Sequence, residues 1–256
     1  MSENAVDASI ARDNIQESIG VVKAFTDESR LYFSDCGLYG VVQDEASVAM
    51  SQINLSDTAF TSYGADASDD ESVLFGADLS RLDEVVGMAS SGDTIHMTLP
   101  DRHSMSMEAG GLSYNLTGIN TDTIRREPEM PDLEFDTDAI GVPADELSRA
   151  VKAADMVSDH VAFEADADEG TLHITGEGDT DSVSVELSDE CESLDIESDT
   201  RGLFSVGYLQ NAIRAIPSDA AVRIRSKTDF PLQIDFTVAE GHGDATVIIA
   251  PRIDNT

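Results

Sequence analysis

The chain has 256 residues, 41% of them apolar, which is enough for one large domain or two of about 125 and excludes global disorder. It carries 51 acidic against 15 basic residues, a formal charge of −36. Its longest apolar runs, such as residues 245–250, fall far short of the roughly 20 residues of a membrane span, and its two cysteines supply neither a disulfide framework nor a zinc spacing.

The opening Met1-Ser2-Glu3-Asn4 has no basic region and no apolar run, so no secretory signal is expected, and a reduced cytoplasmic protein is the expectation. Residues 7–19 place Ile10, Ile15 and Ile19 on a roughly helical period and lead into a strand at 29–34. Residues 77–89 read as a second helix, followed by a Ser90-Ser91-Gly92-Asp93 turn and an alternating strand at 94–99. Residues 120–137, with Pro128 and Pro131, should run extended as a connecting loop. A third helix is expected over 143–158, with Pro143 at its start and Leu147, Val151 and Ala154 on one face, and a strand follows from His160. Alternation marks further strands at 172–175, 182–187, 221–226 and 232–238, with a fourth helix at 205–216.

The order repeats. Leu82 corresponds to Leu209 and Ile95 to Val222, each pair 127 residues apart, about half the chain. Each half reads helix, strands, helix, strands, so the expected fold is α+β: two tandem similar domains of antiparallel sheet with two helices each. The boundaries are 1–119, a connecting loop at 120–137, and 138–256.

The acids, 32 Asp and 19 Glu, are spread along the whole chain rather than massed in a tail. That reads as a surface adapted to a salt-loaded cytoplasm, where the Debye length is about 3 Å and carboxylates hardly repel one another. An acidic mimic of DNA is the competing reading. Twelve of the bases are Arg and only three are Lys, and Arg12, Arg81, Arg149, Lys152 and Arg214 fall in the four helical segments. Scarce positive charge kept on a few helices points to a polyanion; the plain alternative is ordinary solvated helix charge.

Little else carries chemistry. Residues 166–170 lack the glycine position and third acid of a calcium loop and read as a hairpin turn. His96, His103, His160, His173 and His242 have no metal spacing, Cys36 before Gly37 reads as structural, and neither a phosphate-binding glycine loop nor a nucleophile elbow is present. No enzyme, cofactor or metal is expected.

Three stretches carry a family resemblance: Val151-Lys-Ala-Ala-Asp-Met-Val-Ser-Asp-His, the linker Ile124-Arg-Arg-Glu-Pro-Glu-Met-Pro-Asp-Leu, and the closing Ile249-Ala-Pro-Arg-Ile. With Leu79-Ser-Arg-Leu and Phe230-Pro-Leu, they resemble the archaeal proliferating cell nuclear antigen, the replication sliding clamp, and above all the clamps of halophilic archaea. The resemblance runs from about Asp7 to the end. It implies a homotrimeric ring, helices lining its hole, that encircles double-stranded DNA in the nucleoid and tethers DNA polymerase, clamp loader, flap endonuclease and DNA ligase through peptide motifs.

Carried over by position, Arg12, Arg81, Arg149, Lys152 and Arg214 would face DNA, although Glu84 and Gly87 stand where the second helix usually has bases. Val48, Ile124, Met130, Pro231, Ile248, Ala250 and Pro251 would form the groove for partner peptides, with Val247 and Ile248 in place of the aromatics often found there. Leu112, Tyr114 and Leu116 would meet Val183 and Val185 of the next subunit by edge-strand pairing. The polar Met1–Val6 departs from the apolar strand with which the family begins. The alternative is an acidic module that binds replication enzymes without encircling DNA.

Overall fold

The computed structural model describes residues 5–67 and 72–252. The elements in chain order are β1 (Val6–Ala11), α1 (Arg12–Lys23), β2 (Glu28–Ser34), β3 (Gly37–Gln43), β4 (Ala49–Ser56), β5 (Phe60–Ala65), β6 (Val73–Asp78), α2 (Leu79–Gly87), β7 (Thr94–Asp101), β8 (Ser104–Ala109) and β9 (Leu112–Thr117). They continue with β10 (Thr137–Pro143), α3 (Ala144–Asp155), β11 (His160–Asp166), β12 (Thr171–Glu177), β13 (Ser182–Glu186), β14 (Ser193–Ile196), β15 (Thr200–Ser205), α4 (Val206–Ala215), β16 (Ala221–Ser226), β17 (Leu232–Val238) and β18 (Gly243–Ile249). The architecture is α+β with antiparallel pairing in every strand pair whose register is resolved.

The chain divides into two compact units. The first takes the chain up to Glu45, Ser51–Glu129 and Thr237–Ala245; the second takes Ala46–Met50, Met130–Phe236 and the chain from Thr246. In the first unit one sheet runs β5-β1-β7-β8-β9, and β6, β2, β3 and β4 lie side by side in another. Helices α1 and α2 pack together, α1 also against β1 and β3 and α2 against β2 and β6. In the second unit one sheet runs β13-β12-β11-β15, and β14, β10, β16, β17 and β18 are neighbours in another. Helices α3 and α4 pack together, and α3 covers β11, β12 and β13.

The duplication read from the sequence is there in the helices: α2 begins at Leu79 and α4 at Val206, the same 127-residue offset. The first element needs correction. Residues 7–19 are not one helix: Val6–Ala11 is a strand with strict inside-outside alternation, paired to β5 and β7, and the helix starts only at Arg12. Val6, Ala8 and Ile10 are wholly buried on one face of that strand, so Ile10 belongs to a period of two while Ile15 and Ile19 belong to the helix. The departure read at Met1–Val6 is one of placement, since the first strand begins at Val6; Met1–Asn4 lie outside the described residues.

Apolar spacing makes the other helices as expected. In α3, Leu147, Val151 and Ala154 are completely buried on one face. In α2 the Asp78 side chain caps the helix by accepting from the Arg81 N–H, and Leu82, Val85 and Val86 are buried. Under the second unit's helices Phe163 of β11 and Phe204 of β15 meet edge to face, centroids 5.7 Å apart, neither exposed. Phe204→Ala should cost about 3–5 kcal/mol, read as a lowered midpoint in chemical denaturation in molar salt; a loss under about 1 kcal/mol would show that the site collapses around the cavity.

Candidate functional site

The four helices differ in charge from the rest of the chain. Helix α1 has two bases and two acids, α2 one and two, α3 two and three, and α4 one base and no acid. They are thus almost neutral in a chain of charge −36, so nearly all the excess acid lies outside them.

Each expected base has its own surroundings. Arg149 is 58% exposed on α3 and pairs with Glu146 one turn earlier, Nε to Oε2 2.7 Å, which holds its guanidinium in the charged form. Lys152, exposed on the same helix, makes no ion pair among the described residues. Arg214 is exposed at the end of α4 and donates to the Asn211 side chain at 3.0 Å, with no carboxylate partner among the described residues. Arg81 of α2 lies 5.8 Å from the ring centre of Tyr114 in β9, donates to its hydroxyl at 2.9 Å, and has Glu84 at 3.9 Å. Arg12 is the least accessible: its side chain is 22% exposed and bound to Asp13 at 2.8 Å, and its Nε is buried with no hydrogen-bond partner.

A sixth helix base, Lys23, escaped the sequence reading because α1 runs one turn past residue 19. It donates to Asp83 of α2 at 2.6 Å, and Gln16 donates to the same carboxylate at 3.1 Å. These contacts tie α1 to α2, and Lys23 has no free charge to offer.

The expected subunit-contact residues fall on two sheet ends. β9 pairs only with β8, and β13 only with β12, among the described residues, so each leaves a row of backbone groups unpaired. Leu116 and Val185 are buried within their own units, while Leu112, Tyr114 and Val183 are half-buried.

The connecting loop has no helix or strand between Thr117 and Thr137. Its root is fixed in the first unit. The Ile119 N–H donates to the Gly76 carbonyl at 2.8 Å, and a Cβ at Gly76 would stand 2.2 Å from the Ile119 carbonyl oxygen, so only glycine allows the approach. Arg30 of β2, its side chain 13% exposed, donates to the carbonyls of Thr121 (2.6 and 3.1 Å) and Ile124 (3.2 Å) and to Glu127 at 3.1 Å. Tyr32 donates to the other oxygen of Glu127 at 2.5 Å. Burial and the neighbouring Glu127 push the Tyr32 hydroxyl up to about 12. Burial works against the Glu127 charge, but the Tyr32 hydroxyl and Arg30 outweigh it and hold the carboxyl below its ordinary range. Arg125 donates to the Asp44 carbonyl at 2.7 Å.

Of the expected peptide-groove residues, Ile124 is buried in the first unit beside Gly76. Val48, Met130, Pro231, Ile248, Ala250 and Pro251 belong to the second unit, where Ile248 is buried and the others half-buried. There the Ala250 N–H donates to the Val48 carbonyl at 2.7 Å, which brings those two together.

Comparison with known proteins bears on this arrangement. The chain is 36% identical over 250 residues to the DNA polymerase sliding clamp of Haloarcula marismortui, covering 97% of this chain and 98% of the relative. It is 37% identical to that of Natronomonas pharaonis over the same length and the same shares. The chain belongs to the DNA polymerase sliding clamp family. A methanogen clamp, from Methanosphaerula palustris, is 31% identical over 97% of this chain and 99% of its own. Among solved structures, the A. fulgidus PCNA bound to the C-terminal region of FEN-1 superposes with a TM-score of 0.90 at 26% identity, over 98% of this chain and 100% of that one. The Thermococcus kodakaraensis PCNA superposes at 0.86 with 25% identity, over 96% and 100%. No family model matches the chain.

Asp166 accepts from the backbone of Asp168 and Glu169, and Gly170 takes φ +68°, a hairpin turn as expected. Among the described residues no group of three acids, histidines or cysteines is placed to hold a metal ion, and no helix is long and apolar enough to cross a membrane. His96 contacts Ser9 at 3.1 Å and His173 contacts Ser184 at 3.4 Å, each partnered locally across its sheet.

Proposed function

We propose that three copies of this chain close head to tail into a ring around duplex DNA, in which Arg12, Arg81, Arg149, Lys152 and Arg214 face the duplex. The observation that carries this is the near-neutrality of the four helices in a chain of charge −36. Helices facing phosphate need a surface that does not repel it, and six of the fifteen bases are gathered on these four, against seven acids.

Topology makes weak attraction sufficient. Six to ten phosphate contacts lose about 10³–10⁵ in affinity between 50 and 200 mM salt, so a protein with few bases in a salt-loaded cytoplasm would not stay on DNA by charge. A closed ring stays because it has no end to leave by. The open edges β9 and β13 support the closure: Leu112, Tyr114 and Leu116 of one copy lie on the strand that would pair with the strand of Val183 and Val185 of the next. The ring then holds domains 1–119 and 138–256 of each copy, joined by residues 120–137.

The partners are DNA polymerase, clamp loader, flap endonuclease and DNA ligase. Each would dock a peptide motif on Val48, Ile124, Met130, Pro231, Ile248, Ala250 and Pro251, apolar residues whose contribution salt does not screen. In this reading the protein catalyses nothing, needs no cofactor, and works at the nucleoid.

The test is retention on DNA. Clamps loaded on nicked circular duplex should remain bound through gel filtration in molar salt and slide off once the circle is cut. Equal retention on circular and linear DNA would overturn the topological mechanism and leave a protein-binding module. A stable monomer in molar salt would count against the ring in the same way.

A further inference from the structure

Three large apolar side chains are exposed among the described residues: Ile140 in β10, Met88 at 61% and Met156 at 86%. The two methionines occupy matching places. Met88 is the residue that closes α2 and Met156 the one that closes α3, and both keep right-handed helical angles, so the helix periodicity runs through them. Met88 stands seven residues after Arg81, and Met156 seven after Arg149. Seven residues make two turns less about 20°, so each methionine lies on the same stripe as that arginine. Lys152 borders the second stripe, and the buried Leu147, Val151 and Ala154 lie on the opposite side of α3. On α2, Asp83 faces α1 through Lys23 and Gln16, which leaves Arg81 and Met88 on the side away from α1.

We infer that Met88 and Met156 are further duplex-facing residues, uncharged contacts that extend the arginine rows of α2 and α3 along the DNA backbone. The inference rests on the ring reading above. A methionine exposed over most of its surface contributes little to its own unit's core, and the stripe it shares is the one whose arginine is assigned to DNA. The chemistry suits sliding. A thioether chain is flexible and lies against deoxyribose without a strong hydrogen bond or released counterions, so it fills the gap between protein and duplex with little preferred register. A lysine there would make a phosphate contact, adding affinity in low salt and a barrier to movement.

The experiment compares the wild type with the Met88→Lys, Met156→Lys double variant and a Met88→Leu, Met156→Leu control. Binding to a linear duplex is titrated with potassium chloride, and diffusion along DNA is followed on single molecules after loading on closed circles. The lysine variant should steepen the dependence of log K on log salt by about 0.9 for each new phosphate contact, and it should slide more slowly. The leucine control should match the wild type in both. A lysine variant with unchanged salt slope and diffusion overturns the inference, provided the wild type stays on closed circles. A lysine variant that elutes as a monomer in molar salt also overturns it and assigns the methionines to the contact between copies. A wild type that does not stay on closed circles removes the ring reading and this inference together.

Discussion

Arg149→Glu with Lys152→Glu should abolish most loading onto closed circular duplex while leaving the fold nearly intact. The two positions are exposed, three residues apart on one face of α3, and Lys152 makes no ion pair among the described residues. The double reversal changes the charge of each chain by four units on a helix that already carries one more acid than base. Like charges brought together at an interface cost several kcal/mol, so a drop in loading on the order of tenfold or more is expected, larger as the salt is lowered and screening weakens. The cost to folding is small. Arg149 gives up its pair with Glu146, worth about 0.3–0.5 kcal/mol on an exposed helix, and a glutamate at 152 meets the helix C-terminus unfavourably by about 0.3–1 kcal/mol. Unfolding in denaturant and oligomer size separate the two effects. Wild-type loading by a folded variant of normal size would remove Arg149 and Lys152 from the duplex-facing surface.

Arg81 and Arg12 should matter less, for reasons the sequence does not carry. Both sit at the expected places on their helices, but Arg81 is held over Tyr114 and Arg12 is turned onto Asp13. Such contacts depend on residues distant in the chain or on a local turn of the side chain, and helical spacing reports neither. Lys23 shows the reverse: a base left out because the apolar period was read as ending at Ile19, when Val21 and Val22 carry α1 one turn further.

What was legible follows from periodicity. Helices α2, α3 and α4 bury one clean face each, and strands β7, β12, β13, β16 and β17 alternate. The junction of β1 and α1 was not, because Ile10, Ile15 and Ile19 imitate a helical period across a strand end. Strand β3 was hidden for a different reason. Its Gly37, Leu38, Gly40, Val41 and Val42 are all buried, so it is covered on both faces and does not alternate. At the site, the prolines made residues 120–137 legible as a connection without helix or strand, although 121–124 turn, but its anchor was not legible, since Arg30 lies 91 residues before Thr121.

That anchor yields the second large effect. Arg30→Ala should release the root of the connecting loop. One guanidinium holds two loop carbonyls and Glu127, and with it gone the Thr121 and Ile124 carbonyls and the carboxylate lose donors in a half-buried place. Each unsatisfied group costs about 1–3 kcal/mol where water does not reach it, and because water can enter here a net loss of about 1–3 kcal/mol is expected for closing the loop. Every 1.4 kcal/mol is tenfold, so the open population should rise by on the order of tenfold or more, read as faster proteolysis within residues 121–130. Ile124 sits in this segment, so if it belongs to the groove proposed above, affinity for a partner peptide should fall alongside, while Phe163, Phe204 and the core of the second unit are untouched. Acid should act on the same latch. Glu127 has its carboxyl held below the ordinary 4.5, so its contribution is fully present above that value and is lost as pH falls through the lowered one. The wild-type loop should therefore become protease-sensitive in acid, and the Arg30→Ala loop should be sensitive already at neutral pH and change less. Equal cleavage of wild type and variant at neutral pH would show that Gly76 and the Ile119 hydrogen bond hold the root without Arg30.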